Sequence, residues 1–104
     1  MRTLLAALLL TASLAHAKDK SLNDEAKAFC SAAEVVSKKK GVDGKPLQHL
    51  AVEYMRTEPG PAGQKLMQSL ERVPAKEFYA AWQAELAKGG VKADCPALKA
   101  ALER

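Results

Sequence analysis

Two residues in this chain have a reactive group that chemistry could use, Cys30 and Cys95, and they are its only thiols. They lie 65 positions apart. Thioredoxin-type redox pairs keep their sulfurs a few residues apart, and neither cysteine belongs to a C-x-x-C-H run, which excludes covalent haem attachment. The spacing reads instead as one structural disulfide. Closing a loop of that length removes unfolded-state entropy equivalent to roughly 4 kcal/mol. That is comparable to the whole stability of many small domains, on the order of 5 kcal/mol.

The other candidates are fewer than a reaction needs. Outside the first 17 residues His49 is the only imidazole. On a helical wheel it falls opposite Leu47, Leu50 and Tyr54 and beside Glu53 and Arg56, on the water side, where no nucleophile meets it. His49 and Glu53 at i,i+4 could supply two metal ligands, and Met55 and Met67 could suit copper. A metal site needs three or four convergent ligands of matched softness, so neither set suffices and the methionines read as packing residues. No catalytic, metal or cofactor site is expected.

Binding is the remaining class. Phe78, Tyr79 and Trp82 fall within about a turn of helix, and Tyr79 and Trp82 are the types that anchor interfaces when exposed. The bland alternative is that they fill the core. Lys38, Lys39 and Lys40 could touch an acidic partner, or serve only as cations at a helix C-terminus. The formal net charge is +4 with acids interspersed, which lacks the one-sided basic stripe of a nucleic-acid binder.

The compartment follows from the front of the chain. Arg2, an apolar run from Leu4 to Leu14 and the ending Ala15-His16-Ala17 form the pattern of a signal peptide over residues 1–17. The run is too short for a stable membrane span. An exported, periplasmic or extracellular, chain meets an oxidising environment, where the Cys30–Cys95 disulfide forms.

Residues 18–104 then have to make a single helical domain. Ser21 can cap a first helix with Asp24 and Glu25 in its first turn and an apolar stripe of Leu22, Ala26, Phe29, Ala33 and Val36. The triple lysine and Gly41 end it. Pro46 opens a second helix with Leu47, Leu50, Ala51 and Tyr54 on its inner face, and Pro59-Gly60-Pro61 breaks it. A third carries Leu66, Met67, Leu70 and Val73. Pro74 begins a fourth with Phe78, Tyr79, Trp82 and Leu86, closed by Gly89-Gly90, and Asp94-Cys95-Pro96 starts a short fifth. No period-two alternation suggests a strand. The expectation is an all-α fold, a small four-to-five-helix antiparallel bundle with one disulfide.

The stretch Ala51-Val52-Glu53-Tyr54-Met55, with Glu58-Pro59-Gly60, Lys65-Leu66, Leu70, Tyr79, the glycine pair and Cys95-Pro96-Ala97-Leu98, resembles a set of small exported helical proteins of Gram-negative bacteria with no assigned activity. That resemblance implies a periplasmic or secreted helical domain without catalytic residues. The segment Gly41-Val42, Leu47, Val52, Tyr54-Met55-Arg56 and Pro59 is similar to periplasmic immunity proteins that neutralise cell-wall hydrolases. It implies an inhibitor whose helix face or Thr57–Gly63 loop blocks an active site. In size and in its single disulfide the chain also resembles small acid-stress chaperones of the periplasm. The function expected is protein–protein contact with another envelope or secreted protein, without an enzymatic step.

Overall fold

Ser21 opens the first helix as its sequence requires: its side-chain oxygen accepts from the Asp24 N–H at 3.1 Å, satisfying one of the donors a helix start leaves free. The computed structural model describes residues 21–104; the expected signal peptide lies outside them. Five helices follow in order, α1 (Leu22–Lys38), α2 (Pro46–Met55), α3 (Pro61–Leu70), α4 (Ala75–Lys88) and α5 (Pro96–Leu102). Proline occupies the first position of α2, α3 and α5, where its missing N–H costs nothing. No strand occurs among the described residues. None of the described helices is long and apolar enough to cross a membrane.

α1 is the central element, packed mainly against α2 and α5, while α3 lies against α4. Phe29, in the middle of α1, sets the core. Its ring meets Tyr54 of α2 edge-on at 5.1 Å and the rings of Phe78 and Trp82 of α4 at 5.8 and 5.9 Å, so one side chain joins three helices. Ala26, Ala32 and Ala33 beside it are buried, and their small size lets neighbouring helices approach α1 closely.

The last helix is fastened to the first at two levels. Cys30 and Cys95 form the expected disulfide, with 5.9 Å between their α-carbons. Cys95 also serves α5 as its N-cap, its sulfur accepting from the Leu98 N–H. At the other end Arg104 donates to the carbonyls of Val36 and Ser37 at 3.0 Å each and pairs with Asp43 at 2.9 Å. The open C-terminus of α1 is therefore capped from the far end of the chain. Lys38 and Lys40 stay exposed, and Gly41 turns the chain in the left-handed region at φ 78°.

Candidate functional site

α3 begins without a capping side chain, because its N-cap is Gly60 and Pro61 follows. The missing acceptor comes from α1. Glu25 is completely buried, and one carboxylate oxygen accepts from the N–H of Gly60 at 2.6 Å and of Gly63 at 3.2 Å. The other accepts from the Tyr54 hydroxyl at 3.1 Å. A negative group at a helix N-terminus is favoured by the helix dipole as well as by the bonds themselves. Gly63 makes this approach possible: a β-carbon there would run into the Tyr54 hydroxyl and lie 2.6 Å from the Glu25 carboxyl carbon. Burial, and next the charge of Glu25, push the Tyr54 phenol far above its ordinary range. With three donors on it and no open path, Glu25 holds α1, α2 and the start of α3 in one register.

The surface built on this clamp is an apolar groove of about 290 Å³ between α2, α3 and α4. Tyr54 and Phe29 form its floor, and Leu47, Met55, Met67 and Phe78 are among its walls. Its rim is open. Met55 is 60 % exposed and the adjacent Val52 on α2 is 52 % exposed, and Ala51, expected on the inner face, is exposed in the groove wall. The physical reason is that α2 packs along α1 and only touches α5, while α3 and α4 stand across the groove from it rather than against it. Glu71, the C-cap residue of α3, is the one charged side chain in the lining.

The residues singled out from sequence are distributed elsewhere. Trp82 is 1 % exposed and belongs to the core, so it offers no face to a partner; its Nε1 has no hydrogen-bond partner among the described residues. Tyr79 is partly exposed and stacked on Trp82 at 6.0 Å. Its hydroxyl donates to Asp94 at 2.8 Å and accepts from the Cys95 N–H at 3.0 Å, which fixes the α5 entry beside the disulfide. Desolvation chiefly raises its phenol pKa. Lys39 turns back to Glu53 at 3.2 Å, leaving only Lys38 and Lys40 of the triple lysine free to face solvent. That same contact takes Glu53 from His49, which is half-buried. No cluster of three His, Cys, Asp or Glu side chains that could hold a metal ion occurs among the described residues.

Glu25 and the groove are what sequence reasoning missed. The signal for Glu25 was present, since it stands three residues after Leu22 and four before Phe29, on the apolar stripe. No family model matches the chain, and comparison with curated proteins and with solved structures gives no match.

Proposed function

We propose that the protein is an exported, non-enzymatic module that acts by contact with another envelope or secreted protein, and that the groove between α2, α3 and α4 is its contact surface. The observation that carries this reading is the exposure of Met55, Val52 and Ala51 in and beside an apolar concavity, where a lone globule gains nothing from leaving them open. At about 290 Å³ the groove sits at the bottom of the roughly 300–1,000 Å³ range of small-molecule pockets, a size suited to a few side chains of a protein partner. Methionine walls adapt to such side chains without a fixed shape. A photo-crosslinking amino acid at position 55 of the oxidised chain, in its own cells, tests this. A discrete adduct that is absent when the same group is placed at exposed Lys27 on α1 is the expected result. No adduct at position 55, or the same adducts from both positions, overturns the reading.

A second reading, inhibition of a cell-wall hydrolase by the Thr57–Gly63 loop, is favoured by one observation. Glu58 is the only non-glycine described residue in the left-handed region, at φ 56°, and it is exposed on a loop pinned at both ends by Thr57 to Tyr54 and by Gly60 to Glu25. Such strain at an outward-facing residue accords with a presented contact. Added to purified lysozyme-type and amidase hydrolases acting on peptidoglycan, the wild-type chain then slows lysis and Glu58→Gly does not. Unchanged lysis with the wild type overturns it.

A further inference from the structure

The polarity of the groove is set by a single carboxylate in an unfavourable place. Glu71 caps the C-terminus of α3, where the helix dipole is negative and a cation would be preferred. It is exposed, makes no ion pair among the described residues, and its neighbour Arg72 does not pair with it. No lysine, arginine or histidine lines the groove. Glu71 is therefore the one formal charge in the lining, although the chain as a whole carries +4 and Arg56 and Arg72 stand exposed beside the rim.

Resting on the reading of the groove as a contact site, we propose that its partner is a basic amphipathic helix. Apolar residues of that helix at i and i+3 or i+4 enter between Met55, Met67, Leu47 and Phe78, and a lysine or arginine at its edge meets Glu71 and the carbonyl end of α3. The helices that frame the groove, α2 and α3, have 10 residues each, about 15 Å of wall. That is room for two to three turns of a partner helix. Such a cation relieves the like-charge placement of Glu71, so association gains an interaction that the free protein lacks.

The test uses the oxidised full chain without its leader and fluorescently tagged synthetic helices, read by anisotropy. One peptide is an amphipathic Leu/Lys helix, the second its Leu/Glu counterpart. The Leu/Lys peptide binds more tightly than the Leu/Glu peptide, against the overall positive charge of the protein. Met55→Asp abolishes binding. Glu71→Lys weakens the Leu/Lys peptide by about three- to tenfold and strengthens the Leu/Glu peptide, a reversal that loss of folding cannot mimic. Equal binding of both peptides, or affinity indifferent to Glu71→Lys while Met55→Asp still abolishes it, overturns the basic partner and leaves the groove reading standing. Binding of neither peptide overturns the proposal, and binding indifferent to Met55→Asp overturns the groove reading with it. A Met55-dependent dimer in sedimentation, without peptide, assigns the groove to a second copy and overturns the proposal.

Discussion

Replacing Glu25 with alanine is the sharpest perturbation of this fold, because one side chain serves three buried donors. Glu25→Ala leaves the Tyr54 hydroxyl and the N–H groups of Gly60 and Gly63 without their acceptor in a region of zero or near-zero exposure. An unsatisfied buried polar group costs about 1–3 kcal/mol, and water entering the vacated space offsets part of the sum, so the expected loss is about 3–5 kcal/mol. That approaches the total stability of a small domain, on the order of 5 kcal/mol. Tyr54→Phe removes only one of the three bonds and should cost about 1.5–3 kcal/mol. Glu25→Gln, whose amide can still accept from the glycines and donate to the phenol oxygen, falls below Glu25→Ala. Gly63→Ala damages the same clamp from the other side, since its β-carbon runs into the Tyr54 hydroxyl and then the Glu25 carboxylate, and its cost should shrink only where both are removed, in a Glu25→Ala, Tyr54→Phe background. Urea unfolding followed by circular dichroism measures each, with midpoints falling by about 1 M per 1 kcal/mol at this size. A loss below 1 kcal/mol for Glu25→Ala, or a full additive cost for Gly63→Ala in the Glu25→Ala, Tyr54→Phe background, refutes the clamp.

Other expectations follow from the same contacts. The raised Tyr54 phenol holds its proton in the folded chain after the unfolded chain has lost it, so its contribution is intact below about pH 10 and declines above; pH-dependent urea midpoints should show that decline, and Tyr54→Phe should flatten most of it, with Tyr79 supplying the remainder. Reducing the Cys30–Cys95 bond lowers stability by roughly 4 kcal/mol, read as a collapse of the thermal transition in reductant, and a transition shifted by only a degree or two would contradict the need for the bond. Arg104→Ala should cost about 1–2 kcal/mol through the lost cap on α1. Asp43→Asn, which removes only the exposed half of the Arg104 ion pair, should cost less than about 1 kcal/mol in the same assay.

How much of this was legible before the structure depends on whether a residue's role is local. The five helices, the proline starts of α2, α3 and α5, the Ser21 cap and the disulfide all follow from nearby residues or from compartment chemistry, and the structure has them where the sequence puts them, except that α3 stops at Leu70, short of Val73, and Pro74 is the N-cap of α4 and not its first residue. Glu25 has two local interpretations, a favourable first-turn charge and a member of the apolar stripe. Only the second leads to burial. The choice between them turns on Gly60 and Gly63, more than thirty residues away, whose uncapped N–H groups need an acceptor. Arg104 is similar: nothing near it announces that it will close α1.

The groove was illegible for a different reason. A helical wheel ranks positions by apolarity and assumes that every apolar face finds a neighbour. On α2 Leu47, Leu50, Ala51, Tyr54 and Met55 form one continuous apolar face, which the exposed Val52 widens further, but α1 covers only the Leu50 and Tyr54 side, and α3 meets α2 at the clamp without lying along it. The chain fastens its ends together through the disulfide, the Arg104 cap and the Glu25 clamp, and none of these draws α3 along α2, so Met55 and Met67 line a groove instead of a closed core. A domain stabilised by such staples tolerates an unfilled apolar face that a domain relying on its core alone would have to close.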